Sequence, residues 1–220
     1  NKGGKVFVNA DNPLLKELSE GMQTITYGTS EKDYLTSRVV KGNPFLEMDF
    51  WTGNQWKSVM SNLVGVYNFE NAEAACCVGK FFGVEDENIV KAIEEYKPSN
   101  NRSQIINSGK NCIIMDAYNA NPTSMKAALT NFFESNLPEK ALILGDMREL
   151  GTATIEEHQK ILDLITANGI KFVILVGPVF LNLSGKAYHC FETSEKAAEW
   201  LKKNPIEGKS ILIKGSRGIR

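Results

Sequence analysis

Three stretches of this chain set carboxylate, amide or cationic side chains beside glycine. They are Asp116–Asn121 (DAYNAN), Gly145–Gly151 (GDMRELG) and Lys214–Arg217 (KGSR). Each directly follows an apolar, strand-like run, as Gly177-Pro178 does. In open α/β sheets ligands bind beyond the carboxyl ends of the strands, so these stretches form a candidate binding edge. Ordinary loops also hold Asp, Asn and Gly, but three such loops on one sheet edge favour function. Other chemistries are disfavoured. No GxGxxG follows a strand, which argues against a nicotinamide site. Gly208-Lys209-Ser210 resembles the end of a phosphate loop, but Lys203 stands where GxxxxGK[ST] needs its first glycine. The tripeptide also precedes a strand, whereas a phosphate loop opens a helix, so it reads as a turn. His158 and His189 are too few and too isolated for a zinc site.

The elements that must position these loops can be read from periodicity. Lys5–Asn9 is a buried strand, and Asn12-Pro13 starts a helix with Leu14, Leu15 and Leu18 on one face, stopped by Gly21. Leu46, Met48 and Phe50 alternate with Glu47 and Asp49, and Thr52-Gly53-Asn54 turns the chain into a second strand from Gln55 to Met60. A helix from Asn68 carries Phe69, Ala72, Cys76 and Gly79, and a second from Asp86 buries Ile89, Val90 and Ile93. Lys97–Asn101 (KPSNN) is polar and turn-rich, and marks a domain boundary.

Beyond it, strand and helix alternate. Ser103–Asn107 and Cys112–Ala117 form a hairpin, and Asn121-Pro122 caps a helix carrying Met125, Leu129 and Phe132. Ala141–Leu144, Phe172–Val176, Tyr188–Phe191 and Ser210–Ile213 are strands. Thr154-Ile155-Glu156-Glu157 is a capping box for a helix with Ile161, Leu162 and Ile165, and Ser194–Lys202 is a further helix. The pattern predicts a parallel sheet covered on both faces, a doubly wound domain.

Composition agrees with a globular chain. Its 220 residues are 42% hydrophobic and 23% charged, with a formal net charge of −1. That balance gives no electrostatic footprint for nucleic acid or an anionic membrane. Apolar runs such as Phe172–Val176 fall far short of the roughly 20 residues that cross a bilayer. No signal peptide is visible, and Cys76, Cys77, Cys112 and Cys190 form no CxxC, which suits reduced thiols in the cytoplasm. Asn1 and Arg220 suggest a piece of a longer chain.

Taken in order, these motifs resemble the Mur ligase family. Gly65–Ala75 (GVYNFENAEAA) is similar to the helix start that closes the family's central ATPase domain. Arg102 sits where the family has an arginine past the interdomain linker. Asp116–Met125 (DAYNANPTSM), Gly145–Gly151, His158 and Lys214–Arg217 match the branch that adds D-alanyl-D-alanine. The resemblance implies an α/β chain, with residues 1–98 the rear part of the central ATP-binding domain. Residues 99–220 would be a Rossmann-like C-terminal domain lacking its last helix. The phosphate loop, magnesium ligands and UDP-sugar domain would lie upstream, so that the fragment alone is inactive. The implied substrates are ATP, with Mg2+, UDP-N-acetylmuramoyl-tripeptide and D-alanyl-D-alanine, joined through an acyl phosphate by a monomeric enzyme.

The same resemblance distributes roles. Asn68 and Asn71, three apart on one helix face, would meet adenine, the alternative for Asn68 being a simple N-cap. Arg102 would steady the ribose-phosphate side, Asp116 would accept from ribose hydroxyls, and Tyr118 and Asn119 would face the phosphates. For the dipeptide, Asp146 or Glu149 would hold the ammonium and Lys214 or Arg217 the carboxylate, with Ser216 beside them. The rival arrangement has Asp146 and Arg217 pairing with each other to brace the loops. His158 reads either as support behind the Glu149 loop or as a satisfied helix histidine. Two other functions stay open: a sister ligase such as a folylpolyglutamate synthase, and a binding module without catalysis. An intact upstream phosphate loop would favour the enzyme.

Overall fold

A computed structural model describes residues 3–99, 101–185 and 187–218. The chain divides between Lys97 and Pro98 into two compact units.

The first unit contains β1 (Val6–Asn9), α1 (Pro13–Leu18), β2 (Thr24–Gly28), β3 (Leu35–Lys41), β4 (Phe45–Trp51), β5 (Trp56–Val64), α2 (Phe69–Phe81) and α3 (Asp86–Glu95). Its five strands follow in sheet order β1-β2-β3-β4-β5, parallel up to β3 and antiparallel from β3 to β5. The alternation in β4 works as expected on one face, where Leu46, Met48 and Phe50 are fully buried. Its other face is not simply wet. Asp49 is buried and accepts from Arg38 at 2.8 and 2.9 Å and from Ser58 at 2.8 Å. The α1 leucines share a face, but that face is open among the described residues, with Leu14 at 59% and Leu18 at 63% exposure. Neither β2 nor β3 is announced by the sequence pattern.

The second unit contains β6 (Gln104–Asn107), β7 (Cys112–Asp116), α4 (Pro122–Glu134), β8 (Lys140–Gly145), α5 (Thr154–Ala167), β9 (Phe172–Val176), α6 (Pro178–Leu183), β10 (His189–Phe191), α7 (Ser194–Lys203) and β11 (Ser210–Lys214). Its sheet has the order β10-β9-β8-β11-β7-β6, and every pair is parallel except β6–β7. The helix α7 packs over Ile174, Val176 and Phe172, with Trp200 and Leu201 facing them. Val173 and Leu175 alternate to the opposite face. There α4, α5 and α6 contact one another in series, burying Met125, Leu129, Phe132, Ile161, Ile165 and Phe180. Coverage of both faces is what a doubly wound domain requires. Asn121 caps α4 through its side chain, with Pro122 in the first turn.

Two local expectations change. Thr154 builds no capping box. A 3-10 turn over Gly151–Ala153 already leads into α5, and the Thr154 hydroxyl donates backward to the Gly151 carbonyl at 2.8 Å. Gly177-Pro178 is more than a loop, because Pro178 opens α6. No helix among the described residues is long and apolar enough to cross a membrane. All four cysteines are free, and burial pushes the Cys76 thiol up to about 12 and Cys77 to about 11, leaving both protonated and inert.

Candidate active site

The last strand settles the geometry. β11 inserts between β7 and β8, with Lys214 in register with Asp116 on one side and Leu144 on the other. The KGSR loop therefore lies between DAYNAN and GDMRELG, and the three candidate loops meet. Contact is close: a Cβ on Gly215 would sit 3.0 Å from the Gly145 Cα, so any larger residue would have to push the Gly145 backbone aside.

Lys214 and Asp116 form the first layer. Their ion pair is 2.6 Å long, with the side chains only 3% and 13% exposed. The other Asp116 oxygen accepts from the Ser103 amide at 3.1 Å, and the Lys214 ammonium also reaches the Asn119 carbonyl at 3.4 Å. One was expected at ribose and the other at the dipeptide carboxylate, and the structure commits them to each other.

Asp146 is likewise committed to the fold. It is 4% exposed, and its two oxygens accept from the Val179 and Phe180 amides at 2.9 and 3.0 Å. A carboxylate so placed satisfies the donors at the start of α6 and complements its dipole. Gly177, with φ of 124°, makes room for it, because a Cβ there would run into the carboxylate. Asp146 thus braces loops as one alternative held, but its partner is α6 and not Arg217. Ser216 is also buried. Its hydroxyl donates to the Ala120 carbonyl at 3.0 Å and accepts from the Arg148 amide at 3.1 Å, and its own amide reaches the Asp146 carbonyl at 3.3 Å.

Above this buried layer lies an open cleft of 520 Å³, lined by Tyr118, Asn119, Asn121, Arg148, Glu149 and Arg217 among others. The Arg102 guanidinium lies over the Tyr118 ring at 3.7 Å from its centre, and that of Arg217 at 5.7 Å. Hydrogen bonding to Arg102, then the charges of Arg102 and Arg217, hold the Tyr118 phenol below its usual range. The Asn119 side chain turns back to accept from the Ala120 amide at 2.9 Å. Glu149 stands exposed at φ 65°, a left-handed conformation that non-glycine residues adopt rarely and often at functional sites. The structure thus brings together residues assigned separately to ATP and to the dipeptide. It also adds Arg148, which the sequence reading gave no role although it occupies the middle of the Gly145–Gly151 loop.

In the first unit, Asn68 and Asn71 do share a face, with the Asn71 amide 3.4 Å from the Asn68 side-chain oxygen. Asn68 is not a side-chain cap, since its amide donates to the Val64 carbonyl at 2.7 Å. One group here went unread. Glu73 is 1% exposed, hydrogen-bonded to the Ser37 hydroxyl, and pushed up to about 7. Burial is the largest cause, and the charges of Asp11, Glu70 and Asp33 add to it. The signal was its spacing: Glu73 stands one turn past Phe69 and one turn before Cys76 and Cys77, on the buried stripe of α2.

Comparison with known proteins gives this geometry a context. Residues 101–217 match the family model "Mur ligase, glutamate ligase domain". The chain is 32% identical to the UDP-N-acetylmuramoyl-tripeptide–D-alanyl-D-alanine ligase of Bacillus subtilis, over 99% of this chain and 49% of that protein. It is 33% identical to the ligase of the same name from Treponema pallidum, over 71% of this chain and 36% of that protein. A crystal structure of MurF from Acinetobacter baumannii superposes with a TM-score of 0.80 at 26% identity, covering 97% of this chain and 49% of that one. The chain spans about half the length of the Bacillus subtilis relative.

Proposed function

The chain belongs to the Mur ligase family, and on that premise we propose that it is the rear half of a cytoplasmic, ATP-dependent amide ligase that adds D-alanyl-D-alanine to UDP-N-acetylmuramoyl-tripeptide. The observation that carries this reading is the convergence of Arg102, Tyr118, Arg148, Glu149 and Arg217 around the second unit's sheet edge. A site for an anion and a zwitterion needs cations and a carboxylate on a rigid base, and Arg148, Glu149 and Arg217 line one cleft here, with Arg102 stacked on the Tyr118 that also lines it. The names of the Bacillus subtilis and Treponema pallidum relatives support the choice of substrates.

In the proposed reaction the terminal carboxylate of the tripeptide takes the γ-phosphoryl group of ATP, releasing ADP. The dipeptide amine, after losing a proton, attacks the acyl carbon, and inorganic phosphate leaves as the amide forms. Such chemistry needs positioning and charge neutralisation more than covalent help from the protein. Arg102, seated on Tyr118, offers charge-assisted hydrogen bonds to the ribose-phosphate side of ATP. Glu149 holds the dipeptide ammonium, while Arg217 and Arg148 hold its carboxylate. Asp116, Asp146, Lys214 and Ser216 keep the loops in place beneath them. Magnesium would neutralise the triphosphate, and the family resemblance places its ligands in the part of the ligase that precedes this chain.

The test is an assay of the full-length ligase with ATP, UDP-linked tripeptide and D-alanyl-D-alanine. Phosphate release that requires both peptide substrates is the expected outcome, and release indifferent to the dipeptide would refute the reading. The 220-residue chain alone, which carries no GxxxxGK[ST], is expected to ligate nothing.

A further inference from the structure

We propose that His158 is a positioning residue for the Met147–Gly151 loop, acting through the Met147 amide to hold Glu149 at the cleft. His158 lies on α5, fully buried. Its Nδ1 is 2.7 Å from the Thr154 carbonyl, an oxygen that can only accept, so Nδ1 carries a proton. Its Nε2 is 2.9 Å from the Met147 amide, which can only donate, so Nε2 carries a lone pair. Both contacts together specify one neutral tautomer. Asp146, 3.6 Å from Nε2, does not compete, because its oxygens already accept from α6. The Phe180 ring meets the imidazole edge-on at 4.7 Å and fixes its plane.

The first turn of α5 grips the far end of the same loop. The Thr154 hydroxyl donates to the Gly151 carbonyl at 2.8 Å, and the Ala153 amide to the Leu150 carbonyl at 3.1 Å. From the other side Ser216 accepts from the Arg148 amide. The main chain is therefore pinned at Met147, Arg148, Leu150 and Gly151. Between these points stands Glu149, exposed and left-handed, with no ion-pair partner for its carboxylate among the described residues. A conformation of that kind persists only where the surroundings over-determine it. The buried Met147 amide would otherwise lack an acceptor where the loop leaves β8. That Glu149 meets the dipeptide ammonium rests on the function proposed above, whereas the grip on the loop does not.

Three variants separate the possibilities. His158→Gln keeps an acceptor near the Nε2 position, His158→Asn keeps only the Thr154 side, and His158→Phe removes both. In the full-length ligase, His158→Asn and His158→Phe should raise KM for D-alanyl-D-alanine roughly ten- to a hundredfold, the scale of an ångström-sized misplacement. KM for ATP should stay unchanged, and His158→Gln should recover most of the loss. In the 220-residue chain, hydrogen exchange at the Met147 amide should be slow for wild type and His158→Gln and fast for the other two. If His158→Phe fails to fold, the Asn and Gln pair carries the same contrast. Equal losses for every substrate that His158→Gln does not repair would overturn the proposal, as would a Met147 amide still protected in His158→Asn. Were wild type to show no dipeptide-dependent turnover, the proposed function would fall, while the exchange measurement would still decide the grip.

Discussion

The base and the rim of the cleft in the second unit are built from the same residue types and do different work. The base holds Asp116, Asp146, Lys214 and Ser216, all committed to other protein groups by hydrogen bonds of 2.6 to 3.4 Å. The rim holds Arg102, Tyr118, Arg148, Glu149 and Arg217, all exposed. A carboxylate at the base accepts from an ammonium or from the start of a helix, whereas Glu149 at the rim is exposed, as a ligand-binding group must be. Chemical type therefore does not separate binding residues from bracing residues. Burial and the identity of the partner do. The predictions below test that division from its strongest consequence to its weakest.

Lys214→Ala should give the largest effect, on stability. It leaves the Asp116 carboxylate without its cation, and breaking a buried pair this way costs about 3–5 kcal/mol. The combined Asp116→Asn, Lys214→Met variant should be clearly more stable than Lys214→Ala alone, because no buried charge is stranded. Denaturant unfolding of the second unit would show this. A Lys214→Ala protein as stable as wild type would place Lys214 with the rim.

A buried carboxyl in the first unit extends the comparison to pH. The Glu73 carboxyl is raised from 4.5 to about 7, so the folded state binds its proton more tightly than the unfolded state does. The sign follows from that. Stability from this group is fully present below pH 4.5 and declines as the pH rises through about 7. Glu73→Gln should therefore stabilise the unit at pH 8, by at most about 3 kcal/mol, and change little at pH 4. Melting temperatures of both proteins across that range would decide it, and a gap that does not widen toward high pH would contradict the assignment.

Much of this organisation was legible in the sequence. Apolar runs separated by Gly and Pro give the strands of the second unit, and Asn121-Pro122 gives the α4 cap, because these are local signals. The loops were legible as a set. Their division into base and rim was not. Lys214 and Asp116 lie 98 positions apart and meet only because β11 enters between β7 and β8, an order that no local pattern carries. The carboxylate of Asp146 looks as available as that of Glu149 until α6 is in place to use it. In the first unit β3 runs on into exposed Arg38–Lys41, which hides its alternation, and Glu73 is masked by the expectation that glutamate faces water.

At the rim, Glu149→Gln and Arg217→Ala in the full-length ligase should each raise KM for D-alanyl-D-alanine on the order of tenfold. That is the loss expected from one charge-assisted hydrogen bond, with KM for ATP and the melting temperature unchanged. Losses spread equally over all substrates, together with a lowered melting temperature, would move these residues to the base.

The smallest expected effect is also the most direct test of how the rim is arranged. Tyr118 is exposed, so changing its neighbours should leave stability untouched and alter only its own ionisation. A guanidinium beside a phenol favours the phenolate and lowers its pKa, and here hydrogen bonding to Arg102 is the largest cause, followed by the charge of Arg102 and then that of Arg217. Arg102→Ala should therefore raise the Tyr118 pKa toward the ordinary 10, and Arg217→Ala should raise it by less. The Asp116→Asn, Lys214→Met variant gives the contrast. It removes a buried pair whose charges cancel, so it should move Tyr118 least of the three. A carbon-13 label at the tyrosine Cζ, followed by NMR through alkaline pH, reads each variant separately. If Arg217→Ala moved Tyr118 more than Arg102→Ala did, the ring would stand closer to the KGSR loop than to the residue after the linker. If the Asp116→Asn, Lys214→Met variant moved it most, base and rim would share one field, and the division drawn between them would fail.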